Sequence, residues 1–224
     1  MKIVVSVGGS VLARTLVAEN FIGYASAIKE ISRKGSVFIV TGGGLAARNY
    51  IAVARELGAD EASCDLIGIE LTRLNARLLI SAIGDEAYHE PPLNYKEAKN
   101  AGLTGKIVVM GGVTPGQTTD AVSAILAEYI GADLLVNATS IDGVYSSDPK
   151  KNRDAKKFDT LTPQQLVEIV MKTEMVAGAN SPVDLLAAKI IERSNIKTIV
   201  LNGEDPQNII DAVSGKHNGT VIKK

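Results

Sequence analysis

Tryptophan is absent from the 224 residues, and aromatic residues make up only 4% of the chain. Stacking platforms for single-stranded nucleic acid are therefore scarce. A formal net charge of −1 with no basic block gives a duplex backbone nothing to bind either. The expected partner is small. One cysteine, Cys64, excludes an internal disulfide, fits a reducing compartment, and beside Asp65 reads as packing. Apolar runs such as Ile3 to Val7 are far shorter than a membrane span. The N-terminus reads as a strand rather than a signal sequence, so the cytoplasm is the expected location. His89 and His217 occupy polar, turn-like stretches and are expected at the surface, with no Cys/His cluster pointing to zinc. The GxGxxG spacing of dinucleotide folds is missing. "GLTGKIVV" comes nearest to a Walker A loop, but Lys106 leads into a strand where a helix is required. Protein-kinase signatures and a nucleophile elbow are missing as well.

Short Val- and Ile-rich runs recur at Ile3 to Val7, Val37 to Val40, Ile107 to Met110, Leu134 to Val136 and Thr198 to Leu201. Between them lie segments with helical apolar spacing, such as Phe21 to Ile31 and Leu66 to Ile83. Strands alternating with helices predict an α/β fold, a three-layer αβα sandwich with a mainly parallel central sheet. The unbroken apolar strands agree with burial on both faces. Gly35, Gly58 and Gly131 mark helix ends, and Thr162-Pro163 a helix start. No linker interrupts the chain, so residues 1–224 read as one domain.

Three of these strands run into glycine: "KIVVSVGGSVLA" from Lys2, "VFIVTGGGLAAR" from Val37 and "KIVVMGGVTPGQTTDA" from Lys106. Glycine at a strand exit adds no packing but lets backbone amides approach something closely, most commonly a phosphate. A single cluster reads equally well as a tight turn. Open α/β sheets bind ligands at the carboxyl ends of their strands. The three clusters are therefore expected to face one crevice and meet several phosphates there.

"GGS", "GGG" with Arg48 four residues beyond it, "GGVTPGQTTDA", "NATSIDGVYSSDP", "LLAAKIIERSNIKTIVLNG" and "HNGT" follow one another along the chain. In this order they resemble the amino acid kinase superfamily, most closely its archaeal uridylate kinase branch, over the whole chain. The resemblance implies transfer of the γ-phosphoryl group of ATP to UMP, giving UDP. It also implies a homohexamer built from dimers, with an N-terminal acceptor-binding lobe and a C-terminal ATP-binding lobe. The acceptor is already a phosphate oxyanion, so the chemistry asks for positioning and charge neutralisation rather than a strong base. Mg2+ is implied with ATP, bridging phosphates rather than caged by protein, and no protein ligand is assigned to it.

Carried onto this sequence, the family pattern places Gly8, Gly9 and Ser10 on the ATP phosphates, although a strand-to-helix turn would look the same. Gly44 is matched to ATP and Gly43 to UMP. Arg48, one turn into the next helix, is the expected catalytic cation, with Ala46 and Ala47 leaving room for close approach. A solvated helix arginine is the plain alternative. Asp65 matches the acidic contact to the UMP ribose, where a carboxylate accepts two hydroxyl hydrogen bonds; alone it would read as a surface charge.

Val113, Thr114, Pro115, Gly116, Gln117, Thr118 and Thr119 match the loop that wraps UMP. Pro115-Gly116 makes a turn that exposes main-chain groups to uracil. Thr118 and Thr119 offer hydroxyls to the α-phosphate at a helix start. Asp120, matched as catalytic, has two readings: a cap on that helix, or an organiser of cationic groups around the transferring phosphoryl. Thr139, Tyr145 and Asp148 match the ATP side, with Tyr145 against adenine and Asp148 holding the nucleotide. Asp142-Gly143 reads as an ordinary turn, and the lysines of "SSDPKKNRDAKK" as a solvated loop.

One position departs from the pattern. Many superfamily members have lysine two residues before the first glycine pair, where this chain has Ser6, and Lys189 is the alternative cation the sequence offers. Two other functions compete. Isopentenyl phosphate kinases carry a histidine soon after GGG, and Leu45 to Tyr50 contains none. A non-catalytic nucleotide-binding regulatory domain would explain the missing lysine.

Overall fold

A computed structural model of the chain describes residues 1–149, 151–174 and 183–224, except for the side chain of residue 174. Lys150 of the lysine-rich loop thus lies outside the described residues. The strands are β1 (Lys2–Val7), β2 (Ser36–Thr41), β3 (Val108–Met110), β4 (Leu134–Thr139), β5 (Thr160–Leu161), β6 (Thr198–Asn202) and β7 (Thr220–Ile222). They form one sheet in the order β3-β2-β1-β4-β6-β7-β5. Every strand pair in it is parallel except β6 with β7. The helices are α1 (Gly9–Leu12), α2 (Ala18–Ser32), α3 (Gly44–Glu56), α4 (Glu61–Ile83), α5 (Tyr95–Gly102), α6 (Thr119–Ile130), α7 (Pro163–Glu174), α8 (Leu185–Ser194) and α9 (Gln207–Ser214).

Strand alternation builds two cores from one sheet. Ile3, Val5, Ile39 and Val136 face α2, α4 and α9, while Val4, Val40, Met110 and Leu135 face α5, α6, α7 and α8. This is the three-layer αβα arrangement expected from the unbroken apolar strands. All five predicted strands form. β5 and β7 escaped the sequence reading because two or three residues are too few to show a period. α2 stops at Ser32, three residues before Gly35, whereas Gly58 and Gly131 directly follow the final turns of α3 and α6. Thr162 and Gln165 start α7 with reciprocal side-chain to backbone hydrogen bonds of 2.8 and 3.2 Å. No helix among the described residues is long and apolar enough to cross a membrane.

Candidate active site

Parallel register brings the exits of four strands to one edge: Val7 lies beside both Thr41 and Ala138, and Val40 beside Met110. The glycine clusters share a crevice, but they meet each other first. A Cβ on Gly9 would lie 2.0 Å from Gly44 N, and one on Gly42 2.3 Å from Gly9 N. Gly44 itself takes φ +70, a backbone conformation that favours glycine. Close approach of two backbone loops is therefore a second reason for these glycines, beside the phosphate approach read from sequence. Asn75 of α4, buried, clasps the second loop by donating from Nδ2 to Gly42 O at 2.8 Å and Gly43 O at 3.2 Å. Thr72 Oγ1 accepts from Gly112 N at 2.6 Å and so ties in the third cluster.

Around these loops lies a cleft of about 520 Å3. It is lined by Gly9, Ser10, Gly43, Gly44 and Arg48, and by Asp65 of α4 with Thr114, Gln117, Thr118 and Thr119. Arg48 is exposed, with Nε 3.5 Å from Gly44 O, and is the only cation among the lining residues. Gln117 N donates to Thr114 O at 3.3 Å and Gly116 takes φ +80, so Pro115-Gly116 forms the expected turn, of type II. Asp65 Oδ2 accepts from Gly116 N at 2.7 Å and latches that turn to α4. Tyr95 of α5 donates to Gln117 Oε1 at 2.8 Å, and burial pushes its phenol up to about 12. Val113, Pro115 and Gly116 do not line the cleft: Val113 packs on the α6 side of the core, and Pro115 and Gly116 are exposed, the latter held to the lining residue Asp65.

Thr118 is the cap of α6, accepting from Ala121 N at 3.1 Å, so the cap reading of Asp120 is corrected. The Thr118 hydroxyl also donates to Asp184 Oδ2, and Asp184 caps α8 by accepting from Ala187 N at 2.9 Å. Two helix N-termini are thereby tied together beside the cleft. Part of Asp120 remains at the surface, but its carboxyl turns inward and accepts from Ser6 Oγ at 3.2 Å. Burial, then the charge of Asp184, push Asp120 up to about 7, against hydrogen bonds from Ser6 and Asn137 that favour the anion.

The raised value has a stability consequence. An unfolded aspartic acid titrates near 3.8, so through the interval up to about 7 the folded state holds more protons. Stability therefore falls as pH rises through that interval. Asp120→Asn is expected to flatten this slope, and melting temperatures of both proteins from about pH 4 to about pH 8 measure it. Parallel slopes would rule Asp120 out as the titrating group.

Thr139 ends β4 beside the first glycine loop, where Gly8 N donates to Ala138 O at 3.0 Å. Tyr145 and Asp148 follow on the loop beyond, and none of these three lines the cleft. Three expectations change. Lys189 is exposed on α8, pairs with Glu192 at 3.0 Å and does not line the cleft. Lys157 is not a solvated loop lysine but is paired with Asp142 at 3.0 Å. His217 is partly buried, which lowers its pKa, and lines a second cavity of about 560 Å3 with Asp142 and Lys157; His89 is exposed as expected.

Sequence reasoning missed Thr72, Asn75 and Asp184. The first two stand seven and ten residues after Asp65, on the same face of α4, and polar residues at that spacing were the available signal. For Asp184 the signal was an N-cap residue directly before "LLAAKII".

Comparisons with known proteins agree with this geometry. Residues 1–202 match the model of the amino acid kinase family. A uridylate kinase of Methanococcoides burtonii is 62% identical over 213 residues, 95% of this chain and 91% of that protein. Another, from Methanocella arvoryzae, is 56% identical over the full length of both. A crystal structure of uridylate kinase from Archaeoglobus fulgidus superposes with a TM-score of 0.91 at 53% identity, covering 99% of this chain and all of that one. Sheet order, glycine crevice and full-length similarity converge, and the chain belongs to the amino acid kinase family.

Proposed function

We propose that the chain is an enzyme that transfers the γ-phosphoryl group of ATP to UMP. An oxygen of the UMP phosphate attacks the γ-phosphorus, the bond to the ADP leaving oxygen breaks, and UDP forms without net proton transfer. The observation that carries this reading is the acceptor turn at Pro115-Gly116, held at the cleft by Asp65. Asp65 Oδ2 engages Gly116, which leaves the carboxylate further acceptor capacity for ribose hydroxyls. Arg48, Thr118 and Thr119 meet the phosphates. Gly8, Gly9, Ser10 and Gly44 serve the ATP phosphates, with Thr139 at the end of β4 and Tyr145 and Asp148 beyond it; the acceptor occupies the N-terminal lobe and the rest of ATP the C-terminal one.

Magnesium arrives with ATP in this reading, and when bound neutralises charge across the phosphates. Burial and the charge of Asp184 both raise Asp120, a penalty that a cation delivered nearby would relieve. The organising role of Asp120 fits this better than the capping role that Thr118 fills.

A coupled ADP-release assay with UMP, CMP, isopentenyl phosphate and acetylglutamate tests the function. UMP is expected to turn over best, and faster turnover of another acceptor would replace the reading. Asp65→Asn is expected to raise the UMP KM by about ten- to a hundredfold, the worth of a charged hydrogen bond. Turnover should change little, since a ribose contact is felt alike in ground and transition states. A large fall in turnover at unchanged UMP binding would contradict the ribose role.

The cytoplasm remains the proposed location. Leu45, Tyr50, Val53 and Leu57 of the α3 region and Leu66, Leu74 and Leu78 of α4 are exposed, and an apolar surface of that kind fits a homohexamer built from dimers. Light scattering at micromolar concentration is expected to give the hexamer mass; a monomer would sink it.

A further inference from the structure

The loop after β4 holds a charged linkage that the phosphoryl-transfer reading does not use. Tyr145 Oη donates to Asp142 Oδ1 at 2.7 Å, and Lys157 Nζ donates to the other oxygen, Oδ2, at 3.0 Å. Lys157 Nζ also donates to Asn218 O at 2.9 Å, just before β7. The two ends of the loop pair as well. Tyr145 and Lys157 form an antiparallel bridge, and Phe158 N donates to Val144 O at 2.9 Å. Val144 N in turn donates to Thr220 Oγ1 at 2.8 Å. The Lys157 side chain keeps only 26% of its exposure, against 49% for Asp142.

Placement gives the linkage its meaning. The loop leaves the sheet at Thr139, beside the first glycine loop, and its Asp142 and Lys157 line the second cavity. Tyr145 is tied through its hydroxyl, at the end of the ring, which leaves the ring faces free to stack against a planar base. A tyrosine free to change rotamer would lose entropy on binding that base; one held by Asp142 has already lost it. Asp142 alone would be a weak holder, because a half-exposed carboxylate on a loop can swing with it. Lys157 fixes both the carboxylate and its distance from the β7 segment.

We propose that Lys157 is a positioning residue for the phosphate donor: acting through Asp142, it sets the Tyr145 ring as a preformed platform for the purine of ATP. The proposal rests on the UMP kinase reading for the identity of the donor and for the place of Tyr145 against its purine. Lys157 itself touches neither nucleotide. Its effect is on donor binding and not on the phosphoryl step, so it separates KM from kcat.

Four variants test it: Lys157→Met, Lys157→Arg, Tyr145→Phe and the Lys157→Met/Tyr145→Phe double. Lys157→Met is expected to raise the ATP KM by about fivefold or more, with kcat and the UMP KM within about twofold of the parent. Lys157→Arg keeps the charge and should recover most of the loss. In the Tyr145→Phe background, where the hydroxyl link is already gone, Lys157→Met should add almost nothing. Equal rises in both KM values, or additive effects in the double variant, would reduce Lys157 to a structural brace and overturn the proposal. Should Lys157→Met fail to fold, Asp142→Asn, nearly isosteric, takes its place with the same expectations. Calorimetric titration with ATP alone separates the two readings. Weaker ATP binding in a protein inactive on UMP would retain the platform and discard the acceptor, whereas unchanged ATP binding beside normal UMP turnover would do the reverse.

Discussion

Turnover of Arg48→Ala at saturating ATP and UMP is expected to fall by about 10²–10³, the usual cost of removing a preorganised donor to developing charge. The reasoning is one of supply. Negative charge spreads over the transferring phosphoryl and must be met by positive groups. Among the residues lining the cleft Arg48 is the only cation, and no described carboxylate is paired with it. Ser6, where the family resemblance leads one to expect lysine, is buried with its hydroxyl committed to Asp120. Ser6→Ala should therefore change turnover by less than about tenfold, below the usual effect of a transition-state donor. Thermal melts establish that both variants fold. Near-normal turnover in Arg48→Ala would move the cationic role off the cleft wall altogether, because Lys189, the other candidate in the sequence, does not line it and pairs with Glu192.

The fold was largely legible because its strands are buried on both faces. Such strands read as unbroken Val and Ile runs, and the five of them fix a parallel sheet, whose carboxyl edge is where open sheets of this kind bind ligands. The cleft wall at Gly43, Gly44 and Arg48 and the turn at Pro115-Gly116 were legible for a similar reason, since each depends on a short local sequence. Pairings across the chain were not. Nothing in the neighbourhood of Thr118 announces Asp184, 66 residues on, and nothing near Lys157 announces Asn218, 61 residues on. Asp120 shows the limit most clearly. A carboxylate two residues into a helix is a reasonable cap by local rules, and only the fold reveals that Thr118 already occupies that role and that the Asp120 carboxyl turns inward to Ser6. Lys157 misled for the same reason, because a lysine in a charge run looks solvated until its partner is brought beside it.

A single methyl group at Gly9 is expected to cost more than any surface change in the molecule. The Cβ of Gly9→Ala would fall 2.0 Å from Gly44 N, 2.6 Å from Gly44 Cα and 2.9 Å from Gly42 C. All three are backbone atoms, so no side-chain rotation relieves the overlap. The loops must separate instead, yet Asn75 holds Gly42 and Gly43 from behind and Gly44 already takes φ +70. Overpacking of this kind usually costs about 1–3 kcal/mol, and a backbone clash belongs at the upper end. For a chain of this length a loss of about 3 kcal/mol lowers the melting temperature by about 6–12 °C. Separation of the loops also moves Ser10 and the start of α3, with Arg48 one turn further in, and a displacement of about 1 Å in reacting groups costs about a hundredfold in rate. Gly58→Ala is the matched control. That glycine has φ +89, but a Cβ added there would meet no atom within 4 Å, so the substitution brings conformational strain without a clash and lies away from the cleft. Its melting temperature should drop slightly while turnover stays normal. If Gly9→Ala instead melts and turns over like the parent, the two glycine loops stand apart in the working enzyme. Neither loop contact nor phosphate approach would then require glycine at this position.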